Sequence, residues 1–120
     1  MQQVGYLEKG DMHDSGNLPH RVTFKKPTVL FVHMDGCGYC LKMKPDYEKL
    51  AIEQSNKFSF RAIKADGDNS EKSLMQHIKK LDKNFTGFPW IGYFKSDGTY
   101  IGTKSQRDYK GILANLHKIS

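Results

Sequence analysis

The chain has few cysteines and no long apolar run. Only Cys37 and Cys40 occur among its 120 residues, so a framework of several disulfides is excluded. No apolar stretch approaches the roughly 20 residues that span a bilayer, and we expect no membrane partner. The first residues lack the basic patch and apolar segment of a secretory signal, from which we expect a cytoplasmic location.

Positive charge exceeds negative charge, but the basic residues are scattered. A net charge of +6 favours acidic partners through long-range attraction. The lysines occur singly or in pairs, mostly on the polar faces of predicted helices, without the interleaved aromatics of a base-stacking surface. We therefore expect no nucleic-acid partner.

Length and composition predict one domain. At 120 residues, of which 38% are hydrophobic, the chain can fill a modest core. Residues 1–26 are interrupted by glycines and Pro19, which predicts an irregular segment or an edge strand. We expect this segment to pack on the same domain as residues 27–120.

Hydrophobic patterning in the first half predicts a strand, a helix and a second strand. Residues 28–34 are apolar, β-branched and aromatic, which is typical of a strand buried on both faces. Residues 58–64 alternate like a half-covered strand. Residues 38–54 carry apolar side chains near helical spacing: Leu41, Tyr47, Leu50 and Ala51. This order predicts a parallel βαβ unit with a right-handed crossover.

The second half adds a helix, a hairpin and a final helix. Residues 70–81 carry a helical apolar stripe, and so do residues 108–119. Between them, apolar residues 86–94 and 100–102 flank a short Asp-Gly loop, which predicts an antiparallel hairpin. The whole order predicts an α/β fold with a mixed sheet.

Cys37 and Cys40 lie where the first buried strand passes into the first long helix. A helix start supplies unpaired N–H groups and partial positive charge, which favour the thiolate of a cysteine placed there. A spacing of three puts the second sulfur one turn along the same face, close enough for a disulfide. The pair therefore predicts thiol–disulfide exchange.

The same Cys-x-x-Cys pattern is also half of a metal site. His33, four residues before Cys37, would be a third local ligand, whereas a closed zinc site requires four. We therefore expect no metal and no bound cofactor. A stoichiometric metal that is lost with Cys40→Ser would contradict this expectation.

Several segments together resemble the thioredoxin superfamily. Residues 37–51 are similar to the active-site helix of thioredoxins and protein disulfide isomerase domains, including Pro45 eight residues after the first cysteine. Residues 86–89 resemble the loop that carries the family's cis-proline, and residues 62–66 resemble the strand before its third helix. The resemblance covers about residues 28–119. It implies a thioredoxin fold, with a central mixed sheet of four to five strands flanked by helices on both faces.

The resemblance also implies a role for each site residue. Cys37 is expected to be the exposed attacking thiolate, and Cys40 the resolving thiol. A cis-Pro89 would present the backbone of Phe88 to an extended substrate. The residues next to the cysteines are expected to form the substrate-binding rim: Gly36, Gly38 and Tyr39.

Three positions depart from the family pattern. Phe31 stands where the family usually carries a buried acid, so Cys40 must lose its proton by another route, either water or Lys64. Gly36 replaces the usual tryptophan and opens the rim of the site. His33 stands where an aromatic residue is common, and it either packs at the strand end or titrates near the thiols.

Residues around the dithiol leave the direction of the redox reaction open. Tyr39 matches neither the proline of thioredoxins nor the histidine of eukaryotic isomerases. The pair Gly38 and Tyr39 resembles that of some bacterial disulfide isomerases, which favours an intermediate potential. Asp35 and Tyr39 are interpreted as rim residues that contact partners, or else as solvent-facing side chains. Trp90 is interpreted as part of the core or of the groove wall.

The sequence thus predicts a monomeric thiol–disulfide oxidoreductase that acts on protein disulfides and exchanges electrons with an unidentified reductant or oxidant. A glutaredoxin-like reductase of glutathione mixed disulfides is one alternative, although residues 102–105 lack the double-glycine and acidic pattern that glutaredoxins use for glutathione. A non-catalytic binding module with a thioredoxin fold is the other. For that module, Cys37→Ser would leave the biological activity intact.

Overall fold

The computed structural model describes residues 3–67, 69–103 and 107–120, and of Asn69 and Ser70 it describes the backbone only. Within these ranges no helix is both long and apolar enough to cross a bilayer. The described elements are, in chain order, β1 (Gly5–Tyr6), α1 (His20–Thr23), β2 (Thr28–His33), α2 (Gly38–Gln54), β3 (Ser59–Lys64), α3 (Asn69–Leu81), β4 (Trp90–Phe94), β5 (Tyr100–Thr103) and α4 (Tyr109–Ile119).

The strands form one mixed sheet in the order β1-β3-β2-β4-β5. β2 and β3 are parallel, as the βαβ pattern predicts, with His33 opposite Lys64 at their carboxyl ends. β4 is antiparallel to β2 and pairs with β5 as the predicted hairpin. Because Val32 lies opposite Trp90, the chain leaves β2 and enters β4 at the same edge of the sheet. This edge carries the dithiol.

Helices cover both faces of the sheet. On one face Phe31 packs in a buried cluster with Tyr47 of α2 and Ile112 of α4. On the other face Leu30 packs in a second cluster with Ile78 of α3. β2 is therefore buried at all six positions, as its continuous apolar run predicts.

The N-terminal residues contribute an edge strand and part of the core. β1 pairs in parallel with β3, and it lies at the end of the sheet order. Four side chains from residues 3–26 are buried in the cluster on the α3 side: Leu7, Met12, Leu18 and Val22.

β3 is more buried than its alternating pattern predicts, so the half-covered interpretation is wrong. Ser59, Phe60, Ala62 and Ile63 are all buried, because β3 has a hydrogen-bonded neighbour on each side and packed residues on each face.

The buried face of α2 also differs from the prediction in the first turns of the helix. Leu41 is 63% exposed, while Cys40 and Met43 occupy the buried positions of the first turns. A stripe that includes Tyr47 and Leu50 continues towards the helix start at spacings of three and four, through Met43 to Cys40. Leu41 lies one residue away from this stripe.

Candidate active site

Cys37 and Cys40 form a disulfide at the start of α2, with their Cα atoms 5.2 Å apart. Cys37 is the N-cap residue, and its Sγ accepts the N–H of Cys40 at 3.1 Å. Its carbonyl oxygen accepts the N–H of Leu41. The sulfur of Cys37 therefore satisfies one of the N–H groups that a helix start leaves unpaired, and in a reduced chain that donor favours a thiolate.

The two sulfurs differ in their access to solvent. Cys37 is partly exposed, whereas Cys40 is only 1% exposed. Cys40 belongs to the same buried cluster as Phe31 and Met43, and Cys37 packs against the outside of that cluster. Only Cys37 is thus open to a sulfur of another molecule.

The predicted groove residues lie at the same edge of the sheet as the dithiol. The peptide bond between Phe88 and Pro89 is cis. Pro89 is buried and directly precedes β4, whose first residue lies opposite the end of β2. Phe88 is half-buried and packs against both core clusters, one of which Cys37 also contacts.

The rim of the dithiol consists of small and exposed residues. Gly36 has a φ of +78°, in the left-handed region that glycine adopts without strain, and Gly38 is the first residue of α2. The Tyr39 side chain is 67% exposed, with the Lys42 Nζ 5.7 Å from its ring centroid. Leu41 is a further exposed apolar residue beside the dithiol, which sequence reasoning missed because it assigned Leu41 to the core.

The position of the family's buried acid is apolar here. The Phe31 ring is fully buried, with its centroid 4.9 Å from that of Tyr47 and 5.1 Å from that of His33. Ala62 lies opposite Phe31 in β3. Among the described residues no carboxylate is fully buried, so none lies beside Cys40 in the core.

The sequence leaves two roles open for His33, and in the structure its ring is packed at the end of β2. Its side chain is 2% exposed, and its Nε2 is 2.8 Å from the hydroxyl oxygen of Tyr6. Burial of the ring, and secondly the nearby Lys44 ammonium, lower the pKa of His33 to about 4. The ring is therefore neutral at pH 7.

Lys64 and Asp35 form an ion pair, with 3.2 Å between the Lys64 Nζ and an Asp35 carboxylate oxygen. The hydrogen bond and charge of Asp35 raise the pKa of Lys64 above its ordinary value. The Asp35 N–H also donates to Asp66 at 3.0 Å. A proton acceptor must be neutral before it accepts, so this pairing disfavours Lys64 as the base for Cys40 and leaves water as the simpler route.

Trp90 forms part of the core and of a cleft wall, as expected. Its indole Nε1–H donates to a carboxylate oxygen of Asp82 at 2.8 Å, and its ring stacks on Tyr100 with centroids 6.1 Å apart. The cleft of about 470 Å³ beside it is also lined by Pro89.

Two further expectations concern metal and glutathione. Across the described ranges, no three His, Cys, Asp or Glu side chains come close enough together to hold a metal ion, so His33 and the two cysteines form no such group. Residues 102–105 lack the pattern that glutaredoxins use for glutathione, and of these four residues Lys104 and Ser105 lie outside the described residues.

Comparison with known proteins identifies relatives, although no family model matches the chain. The chain is 36% identical over 98 residues to a provisionally named thioredoxin-like protein of Invertebrate iridescent virus 6, a match that covers 72% of this chain and 71% of the viral protein. It is 30% identical over 100 residues to a mitochondrial thioredoxin domain-containing protein of Schizosaccharomyces pombe, across 82% of this chain but only 25% of the yeast protein.

The fold is similar to that of spinach chloroplast thioredoxin f. The two structures superpose with a TM-score of 0.72 at 22% sequence identity, over 97% of this chain and 92% of the spinach chain. The mixed five-stranded sheet, the helices on both faces and the disulfide at the start of α2 agree with this likeness. From its relatives and its fold, the chain belongs to the thioredoxin superfamily.

Proposed function

We propose that the chain is a thiol–disulfide oxidoreductase that acts on protein disulfides through Cys37 and Cys40. The observation that carries the proposal is the disulfide at a helix start, with one sulfur partly exposed and the other buried. A bridge between residues only three apart closes a very short loop and removes little entropy from the unfolded chain. A purely structural role therefore explains this disulfide poorly.

The proposed reaction begins from the reduced pair. The Cys37 thiolate attacks one sulfur of a substrate disulfide, the substrate S–S bond breaks, and the second substrate sulfur leaves as a thiolate that takes a proton from water. The Cys40 thiol then loses its proton and attacks the Cys37 sulfur. The bond between Cys37 and the substrate breaks, the Cys37–Cys40 bond forms, and the first substrate sulfur leaves as a thiolate that takes up a proton from water. Two electrons have moved from the dithiol to the substrate.

The reverse sequence oxidises a substrate dithiol with the same atoms. The direction depends on the potential of the pair relative to its partner, and a difference of about 30 mV changes the equilibrium tenfold. An equilibrium titration of the pair in a glutathione redox buffer measures this potential. The proposed reaction also requires an external reductant in one direction, or an external oxidant in the other, to return the pair to its starting state.

The residues around the pair have proposed roles in binding the substrate. Phe88 and Pro89 would present backbone to an extended segment of the partner protein. The glycines Gly36 and Gly38 would leave space for that segment to approach Cys37, and the exposed Tyr39 ring would contact it.

Reduction of insulin by dithiothreitol tests the proposal. We expect the chain to accelerate insulin precipitation and Cys37→Ser to abolish the acceleration. Cys40→Ser should instead accumulate a mixed disulfide with the substrate, visible by mass spectrometry, because the resolving sulfur is missing. Faster turnover of glutathione mixed disulfides than of insulin would favour the glutaredoxin alternative. Biological activity that survives Cys37→Ser would favour a binding module.

A further inference from the structure

A small apolar cleft lies on the α3 side of the molecule, and two of its lining residues, Met34 and Phe88, come from the segments that carry the dithiol and the cis-proline. It has a volume of about 270 Å³, and its apolar lining includes Met34, Met75, Phe85 and Phe88. Met34 directly follows β2 in the segment that leads to Cys37, and Phe88 directly precedes the cis-proline. The cleft therefore opens next to the proposed substrate groove.

Two lysines line the same cleft from α3. Lys72 and Lys79 lie three residues before and four residues after Met75, so the three residues share one face of the helix. Both lysine side chains are exposed, and neither takes part in the ion pairs formed by the described residues. The apolar floor of the cleft thus has two ammonium groups on its α3 side.

Among the described residues that line this cleft, Asp66 is the only carboxylate, and one of its oxygens is hydrogen-bonded. Asp66 accepts the Asp35 N–H at 3.0 Å through one of its oxygens. With two ammonium groups against one carboxylate, the charges of the described lining residues sum to one positive charge. A ligand that combines an apolar group with a negative charge complements this lining.

The size of the cleft limits what can occupy it. Sites for drug-sized ligands and cofactors usually measure about 300–1,000 Å³. At about 270 Å³, this cleft lies below that range and suits one or two side chains of a peptide. Because Phe88 lines the cleft and Met34 lies three residues before Cys37, such side chains would belong to a segment that also reaches the dithiol.

We propose that this cleft selects disulfide substrates whose cysteine lies within a few residues of one large apolar side chain and one carboxylate. The apolar side chain inserts between Met75 and Phe88, and the carboxylate lies near Lys72 and Lys79. The inference rests on the proposed function, because the occupant is a segment of the disulfide substrate itself.

Three synthetic peptides test the inference, each with its cysteine carried as a mixed disulfide with thionitrobenzoate. They contain Phe-Glu-Cys, Phe-Lys-Cys or Ala-Glu-Cys in an otherwise identical sequence. Attack by the Cys37 thiolate on the peptide sulfur breaks the S–S bond and releases the thionitrobenzoate anion, whose absorbance gives the rate. We expect the Phe-Glu peptide to react about fivefold faster than the Phe-Lys peptide at low salt, because two ion pairs at an exposed edge supply a factor of this size.

Salt and charge reversal separate this effect from the net charge of the chain. The preference should shrink at high salt, since exposed charges are screened. The double variant Lys72→Glu with Lys79→Glu should reverse it. The matched control is Lys25→Glu with Lys57→Glu, which makes the same charge change near the starts of β2 and β3, at the opposite end of the sheet. This control should keep the preference.

The possible outcomes distinguish the two proposals. Equal rates for the Phe-Glu and Phe-Lys peptides, or a preference that both double variants change alike, would refute the cleft as a selective site. A Phe-Glu peptide no faster than Ala-Glu would also refute it, because the apolar cleft would then be unused. Failure of the wild-type chain to reduce insulin would refute the proposed function instead.

Discussion

The hydroxyl oxygen of Tyr6 in β1 lies 2.8 Å from Nε2 of His33, the last residue of β2. The second ring nitrogen, Nδ1, is buried and has no hydrogen-bond partner among the described residues. Groups of both signs surround the ring, with Lys44 on α2, Lys64 on β3, and Asp35 and Asp66 in the loops. Burial is the largest cause of the lowered His33 pKa, so the fold stabilises the neutral ring.

This environment predicts a loss of stability in acid. The pKa of His33 is about 4 in the folded chain and 6.5 for an unperturbed side chain, so unfolding takes up a proton between these values. The contribution is fully present above pH 6.5 and decreases by roughly 3 kcal/mol as the pH falls towards 4. Urea unfolding across this range should show the decrease in the wild type and a flatter profile in His33→Phe. His117→Gln, at an exposed position, is the control and should retain the wild-type profile.

A neutral His33 also predicts little influence on the attacking thiol. His33→Phe should leave the pKa of the Cys37 thiol unchanged in an alkylation profile, because the ring carries no charge near pH 7. Asp35→Asn is the comparison variant, since it removes a negative charge two residues from Cys37 and should lower that thiol pKa. A pKa that changes in His33→Phe would make His33 part of the mechanism.

Local sequence patterns predicted most of the elements, and contacts between distant segments account for the errors. The polar residues Ser59 and Arg61 indicated a solvent-facing side for β3. In the structure, the Ser59 hydroxyl and the Arg61 Nε both donate to the carbonyl oxygen of Val22 at 2.9 Å. Val22 belongs to the N-terminal segment whose path could not be predicted from its irregular composition. The sequence of β3 alone therefore does not indicate that the N-terminal segment packs over this strand.

The candidate site also has features that local spacing predicts and features that depend on contacts between distant segments. The spacing of Cys37 and Cys40 predicted the disulfide at the helix start because a Cys-x-x-Cys pattern is local. The ion pair of Lys64 with Asp35 joins the last residue of β3 to the loop after β2, and no spacing rule connects them. Cys40 has both a chemical role and a place in the buried stripe of α2, and the stripe predicted from Leu41 is wrong because Cys40 occupies that position.

The backbone at Gly36 predicts a stability difference between two glycines of the rim. An added Cβ meets no atom within 4 Å at Gly36 or at Gly38, but only Gly36 has a left-handed φ, of +78°. Gly36→Ala should therefore lower the free energy of unfolding by about 1 kcal/mol. Gly38→Ala, within the helix, should raise it by about 0.5 kcal/mol. Equal effects in chemical denaturation would show that the backbone conformation at Gly36 is unimportant.

The indole of Trp90 predicts a role for Asp82 in stability. One carboxylate oxygen of Asp82 accepts the Trp90 Nε1–H at 2.8 Å, and the other accepts the Asn84 N–H at 3.0 Å. Asp82→Ala removes both acceptors and should lower the free energy of unfolding by about 2 kcal/mol. Asp82→Asn keeps one acceptor oxygen and should have a smaller effect. Trp90 is the single tryptophan, so its fluorescence reports unfolding directly; identical transitions in the three proteins would exclude this role.

Phe31 predicts that resolution by Cys40 proceeds without a buried base. Phe31→Asp restores the carboxylate usual in the family within the cluster that contains Cys40. Loss of the ring and burial of the carboxylate should lower the free energy of unfolding at pH 7 by about 3–5 kcal/mol. Phe31→Asn introduces a side chain of nearly the same volume as aspartate but without its charge, and it is the matched control. In single-turnover experiments, resolution of a preformed mixed disulfide should be at least about tenfold faster in Phe31→Asp than in Phe31→Asn, since a positioned base accelerates proton removal. Equal rates would mean that water accepts the Cys40 proton as effectively as a carboxylate does. Phe31 would then have no effect on the rate of resolution.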